Sequence, residues 1–294
     1  MSTAGALLNR VSRQLLSGTV EERNKLAGTV DSSTTTITTS YDLNGLRTGT
    51  VFEIDSELMY IWEATPGTKS LTVERGYAGT TATSHTAGVS ITTNPRFPKA
   101  QMLEALNQEI SDLSSPLNGL FRVITAEVDY NGSDRQVDVT GATTILDLVD
   151  VRLKYLVSDY PYIWTARLQR DLPTADFPSG YAIVMDASVM AGTLIVRYKA
   201  PFARVSSTSD DIQSVAHIPA EMEDILELGI MSRMLAPREV KRNFIESQGD
   251  TRRSEEVTAG AMTNSVTNIL RLRKDRILAE AARLARQYPL YIRR

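Results

Sequence analysis

Three acidic residues, Glu53, Asp55 and Glu57, stand at a spacing of two. On a strand they share one face and could offer carboxylate oxygens to Ca²⁺. A calcium loop would want more Asn, Asp and Gly nearby, so a solvated strand face closing at a turn is the plainer reading. There are two histidines, His85 and His217, and no cysteine. That excludes disulfide frameworks and Cys-based metal sites, and the two histidines, far apart in sequence, argue against a His-rich site. His85 has no His or Cys companion close by, and a general base needs a partner in reach. It reads as a loop-stabilising side chain bonded to a backbone carbonyl, for which His85→Asn would be mild. His217, just before Ile218-Pro219, reads as a linker or helix-entry residue.

The stretch from Gly76 to Gly88 superficially resembles a phosphate cradle. No Lys-Ser/Thr follows it, and no helical pattern opens after it. Gly76, Gly79 and Gly88, with Arg75 and His85, are therefore read as a structural loop whose glycines allow positive φ. There is no G-x-S-x-G elbow. Lacking a metal, nucleophile or phosphate constellation, the chain is expected to be non-enzymatic and to use no cofactor. Trp62, Trp164, Tyr160 and Tyr162 could form a sugar-stacking platform. Such aromatics more often fill a β core or an oligomer interface.

Charge is unevenly spread. The formal net charge is −3, yet residues 271–294 carry eight basic and two acidic residues, leaving −9 on residues 1–270. A basic end on an acidic body suggests a docking segment. Beyond the last helical pattern lie Leu290, Tyr291 and Ile292 beside Arg293 and Arg294. This mixture reads as a peptide that docks in a partner's groove. No apolar run approaches the roughly 18–20 residues of a membrane span. The start, MSTAGALLNRVSRQLL, has too short an apolar core for a signal peptide.

The elements that must position these residues follow from periodicity. Residues 4–17 place Leu7, Leu8, Val11 and Leu15 on one side of a helix, and a further turn or two is expected through 20–26. The Ser/Thr run at 32–40 suits a strand. Phe52 and Ile54, then Leu58, Tyr60 and Trp62, then Leu71 and Val73 alternate with their neighbours, as half-buried strands do. Together these predict roughly five strands in a small barrel. Residues 98–115 predict a helix. Residues 120–205 predict a β-sandwich, with a hairpin at Asn131-Gly132 and strands through Val151–Val157 and Leu194–Tyr198. Residues 206–217 read as a polar linker. Helices follow over 219–237, 238–247 and 264–287.

The order "acidic hairpin, V-x-R-G-x-x-G-T-T-A, H-x-x-G" at 51–91 resembles a module of tailed-bacteriophage structural proteins, above all siphophage-type head–tail connector (adaptor or neck) proteins. IPAEMEDILELGIMSRMLAPREVKRNFIESQGDTRRSEEV, LRLRKDRILAEAARLARQYP and VRYKAPF are similar to the helical part of such connectors. The resemblance implies a virion ring, commonly of twelve copies, that binds the portal protein and a stopper or tail terminator. Such a ring continues the channel for double-stranded DNA and is assembled in the host cytoplasm. The expected class is α+β: N- and C-terminal helices forming a helical adaptor core, with a small barrel and a β-sandwich inserted. The expected segments are 1–28 (helical), 29–96 (barrel), 97–117 (connecting helix), 118–206 (sandwich), 207–287 (helical) and 288–294 (docking tail). In that frame Tyr288, Leu290, Tyr291, Ile292, Arg293 and Arg294 would dock on the portal, and acidic surface would line the channel. A glycan-binding tail or fibre component is the alternative.

Overall fold

The computed structural model describes residues 2–17, 20–154, 160–185, 189–247 and 261–289. It divides into two units: Met1–Glu109 with Arg204–Arg273, and Ile110–Ala203 with Lys274–Arg294.

In the first unit six strands form one antiparallel sheet. They are β1 (Arg23–Lys25), β2 (Thr36–Thr38), β3 (Val51–Ile54), β4 (Glu57–Thr65), β5 (Ser70–Glu74) and β6 (Ser90–Thr93). Their order is β1-β6-β3-β4-β5-β2. The sheet curls into a half-barrel around Phe52, Ile54, Met59, Ile61, Leu71 and Ile91. Its outer strands meet where Leu26 bridges Thr39. There Ala27 donates to the Thr38 carbonyl at 2.9 Å and Ser40 to that of Lys25 at 2.8 Å. Both edges are thus paired at that point, which protects them from pairing with other chains. The helical turns expected through 20–26 are replaced by β1.

The first unit also holds α1 (Ala4–Leu16), most of α2 (Lys99–Leu113), α3 (Glu223–Ser247) and the first half of α4 (Ala261–Gln287). Thr3 caps α1 by accepting from the Ala6 N–H, and Ser17 ends it in a left-handed conformation. Ala4, Leu7, Leu8 and Val11 are buried. Arg10, one turn along, binds Glu227 at 2.7 Å and also Glu223, joining α1 to α3. α3 runs through Pro237 as one helix, where two were expected.

The second unit carries β7 (Arg122–Tyr130), β8 (Gln136–Asp138), β9 (Asp147–Lys154), β10 (Arg167–Gln169), β11 (Ala182–Val184) and β12 (Gly192–Ala200). They form two three-stranded sheets, β7-β12-β9 and β10-β11-β8. Both feed one core, with Val151, Leu194 and Val196 from one sheet and Ile183 from the other. From Leu194 on, alternate residues of β12 are buried, the signature of a strand with one face on a core. Asn131-Gly132 follows β7 but links it to a strand of the other sheet, because the Asn131 side chain accepts from the Ser133 and Asp134 N–H groups and makes a wider turn.

The expected helical adaptor core with two inserted β domains is not what forms. Among the described residues, what forms is three sheets of twelve strands and four α-helices, so the sheets are the architecture and not insertions in a helical core. The reason lies in where apolar surface is concentrated. Two clusters built largely from strand residues hold much of the buried apolar mass. On α4, by contrast, Ile277 and Leu284 are the buried apolar side chains among those described. A stripe that thin cannot make a core by itself. Residues 206–217 are likewise no free linker. Asp210 accepts from the Ser206 and Ser207 N–H groups, Asp211 accepts from Ser214, and Ile212 and Ala216 are buried. The Ala4 and Gly5 N–H groups donate to the carbonyls of Asp210 and Thr208.

A buried charge ties the helices of this unit. Glu109 of α2 is 1% exposed and meets Arg273 at 2.5 Å and Arg233 at 3.4 Å. On α3, Gly229 makes room for it: a Cβ there would lie 2.1 Å from the Glu109 carboxyl carbon. Gly229→Ala should therefore destabilise the wild type. In a Glu109→Ala background it should instead stabilise, by about 1 kcal/mol, as Ala for Gly does in an unobstructed helix. A double-mutant cycle by urea denaturation reads the reversal; additive effects of one sign would refute the packing role.

Candidate functional site

The acidic hairpin does not present a solvated face. β3 ends at Ile54, and Asp55 turns the chain with φ +55°. Glu57, 1% exposed, therefore begins a new strand with its carboxylate directed inward. Five donors converge on it. Oε1 accepts from Arg75 Nε at 2.8 Å and the Gly76 N–H at 3.0 Å. Oε2 accepts from Arg75 Nη2 at 3.0 Å, the Thr83 N–H at 2.9 Å and His85 Nε2 at 2.9 Å. The remaining donors of Arg75 reach the carbonyls of Asp31 (2.7 Å), Thr34 (2.8 Å) and Thr83 (2.5 Å). All five N–H bonds of the guanidinium are thus used.

His85 lies between two carboxylates. Nδ1 is 2.9 Å from Asp55 and Nε2 is 2.9 Å from Glu57. An imidazolium, which donates from both nitrogens, satisfies both contacts. Burial pushes the His85 pKa down, but hydrogen bonds to Asp55 and Glu57 outweigh it and raise it to about 9. Burial pushes Glu57 up, but the bonds from His85, Arg75, Thr83 and Gly76 win and bring it to about 2. The His85 bond is also the main cause that lowers Asp55. The backbone of His85 exchanges hydrogen bonds with Val30 at 2.9 and 3.0 Å. The expected backbone carbonyl is therefore not what holds the ring. With both ring nitrogens occupied by carboxylates, the imidazole has no lone pair for base chemistry. Two acids and two bases make a closed, charge-balanced cluster that joins the 31–34 turn, the β3–β4 hairpin, the end of β5 and the loop before β6.

The other acids are spent elsewhere. Glu53, 5% exposed, accepts from the Lys99 N–H at 2.5 Å and so caps α2 from outside the helix. Burial pushes its pKa up to about 7 against the pull of that bond. Glu53, Asp55 and Glu57 do not converge, and no group of three His, Cys, Asp or Glu able to hold a metal occurs among the described residues. Glu53 also borders a cleft of about 630 Å³ between α1 and the half-barrel, where Arg13, Arg23 and Lys99 face Glu21 and Asp55. Such mixed signs select no simple ion. Gly76, Gly79 and Gly88 have φ of +64°, +81° and +85°. His217 is exposed with φ +59°.

The aromatics belong to two different units. Tyr60 packs edge-on to Trp62 at 4.9 Å, and Tyr162 stacks on Trp164 at 5.1 Å. Of the expected docking tail, residues 290–294 lie outside the described residues. Tyr288 belongs to the body, since its N–H donates to the Leu284 carbonyl and its ring packs on Phe121 at 6.4 Å. Comparison with protein-family models and with curated proteins returns no match.

Two tests follow. The stabilising contribution of His85 should be complete below pH 6.5 and fade as pH rises through about 9, because its folded pKa is the raised one. That of Glu57 should be complete above pH 4.5 and fade as pH falls toward 2. Glu53 acts oppositely, costing stability as pH rises from 4.5 through about 7. The difference in melting temperature between wild type and His85→Asn isolates the first contribution. It should be largest between pH 4.5 and 6.5 and shrink above pH 9; a pH-independent difference would exclude the imidazolium. His85→Asn itself should cost about 1–3 kcal/mol, more than the mild effect expected from sequence, because Asn cannot span both carboxylates.

The glycines should rank. A Cβ at Gly76 would lie 2.8 Å from the Thr80 carbonyl oxygen, whereas at Gly79 it meets nothing within 4 Å. Gly76→Val should therefore destabilise clearly more than Gly79→Val, whose cost is the backbone strain of roughly 1–2 kcal/mol. Chemical denaturation of the two variants decides; equal losses would mean φ alone matters.

Proposed function

We propose that this chain is a non-enzymatic structural protein of a tailed-phage virion. It forms a ring that joins the portal to the stopper or tail and continues the DNA channel, and it is assembled in the host cytoplasm. The observation that carries this reading is the convergence of Glu57, Arg75, Gly76 and His85. The residues behind the resemblance to connector modules are the ones that meet in a single buried cluster. A set of motifs that works as one physical unit is a stronger mark of a shared module than scattered matches. The cluster is a fastening, suited to a part that must keep its shape under load. The basic end of the chain fits a docking role, and the acidic balance of residues 1–270 fits a wall that repels a moving polyanion. The alternative, a glycan-binding tail component, draws support from Trp164, which is 57% exposed beside Tyr162.

The experiment is reconstitution with portal-bearing heads. The full chain should add as a ring visible by electron microscopy and allow tails to attach. A chain ending at Pro289 spares Tyr288 and should fold with an unchanged melting temperature, yet bind portals at least about tenfold more weakly. Failure of the full chain to join portals in any ring would overturn the connector reading. Wild-type attachment by the shortened chain would overturn the tail's part in it.

A further inference from the structure

The same five-residue pattern, Tyr-Ile-Trp-x-Ala, occurs once in each unit, as Tyr60-Ile61-Trp62-Glu63-Ala64 and Tyr162-Ile163-Trp164-Thr165-Ala166. These hold the chain's only two tryptophans. In both, the isoleucine and the alanine pack against the core of their unit, Ile61 and Ala166 being fully buried. In both, the tyrosine and tryptophan rings pack on each other at the surface, and the tryptophans are 58% and 57% exposed. Trp62 sits where the β4–β5 register slips between Ile61 and Glu63, a bulge that brings Trp62 and Glu63 to the surface together.

The two shelves differ in the sign of their neighbours. Tyr60 lies opposite Glu74 across the strands, and Glu74 and Glu63 are exposed. Tyr162 lies opposite Arg152, whose guanidinium stands 4.3 Å over the tyrosine ring and donates to its hydroxyl at 2.7 Å. Among the described residues Arg152 shares the carboxylate of Asp150 with Arg197, which gives this corner two guanidinium groups to that one carboxylate. One shelf is aromatic and acidic, the other aromatic and basic. Trp, Tyr and Arg are the residues that dominate binding energy at protein interfaces, and large exposed rings held by a rigid core lose little freedom on contact.

We infer that the two shelves are the two halves of one contact between copies of this chain, the Trp62 shelf of one copy meeting the Trp164 shelf of the next. The inference rests on the ring reading and names its joint. Because the halves are complementary and not identical, the contact is head-to-tail, the type that generates a ring when its rotation closes.

Trp62→Ala and Trp164→Ala, each made in the full chain, test it, with circular dichroism as the folding control. Assembly is read by analytical ultracentrifugation and native mass spectrometry, alone and on portal-bearing heads. Each variant by itself should assemble at least about tenfold more weakly than wild type. Mixed together they should form heterodimers and no rings, since one brings an intact first shelf and the other an intact second shelf. The one tryptophan left in each variant is a member of the single intact joint, so the fluorescence of the mixture should be shifted to the blue relative to the sum of the two variants measured apart. Glu74→Lys, an exposed change that leaves the aromatic pair in place, should also weaken assembly. Wild-type rings from both tryptophan variants would overturn the joint and leave the ring reading standing. A wild type that forms no ring, alone or on portals, overturns the ring reading itself. Unchanged rings together with lost binding on a glycan array would make the shelves sugar platforms and overturn the joint.

Discussion

Glu57 puts a carboxylate at 1% exposure inside a small half-barrel, and the sheet around it makes sense only with that charge answered. Taking a carboxylate out of water costs several kcal/mol unless paired and fully hydrogen-bonded. Arg75 answers it with two N–H bonds, His85 with one, and two backbone N–H groups complete the shell. Each donor comes from a segment that would otherwise be a loose loop. The Arg75 guanidinium also holds the carbonyls of Asp31 and Thr34. The 31–34 turn is in turn set by Asp31, whose carboxylate accepts four bonds from Ser33 and Thr34 and is lowered to about 2 by them. Removing Glu57 would leave the Arg75 guanidinium and the His85 ring, 6% and 1% exposed, without the carboxylate they share. Such clusters add little net stability over an apolar core of the same volume, but they admit one arrangement. For a half-barrel with short outer strands, selecting one arrangement is the harder problem.

Local patterns carried much of the secondary structure. Alternation in Phe52–Ile54, Leu71–Val73 and Leu194–Tyr198 marks strands, and the three–four spacing of Leu103, Leu106, Ile110 and Leu113 marks α2. What failed was everything decided by contacts distant in sequence. A two-residue spacing places Glu53, Asp55 and Glu57 on one face only if the strand continues. The positive φ at Asp55 breaks it, and Glu57 then answers an arginine 18 residues away. The readable hint was the single Arg75 at a strand end just before a glycine, with one histidine in the loop that follows. The 206–217 stretch misled for a related reason. Ser and Asp mark linkers by composition, but Asp210 and Asp211 here fold the chain into capped turns over buried Ile212.

The helical core was overestimated because a periodic stripe was equated with a packing partner. α1 does bury its stripe, and Arg10 clamps it to α3 through two glutamates. α2 buries Met102, Leu106 and Ile110, and pairs Glu109 with two arginines. These are joints between elements. Much of the apolar mass sits in the strands, so the sheets set the architecture, while α1 packs on α3.

Rigidity at the core is also what gives the surface its meaning. Ile61 is buried in one core and Ile163 packs half-buried against the other, so the tyrosine and tryptophan on either side of each are held outward. An exposed tryptophan on a mobile loop can fold back and cover itself. One next to an isoleucine packed against the core cannot, and its apolar surface stays in water until another surface covers it. The pattern achieves this in two unlike settings, a bulged barrel strand at Trp62 and a turn leading into β10 at Trp164. What the two settings have in common is the core anchor and the outward ring pair; what differs is the charge beside them. A device repeated with its charge inverted carries the complementarity needed for one copy of a chain to recognise another.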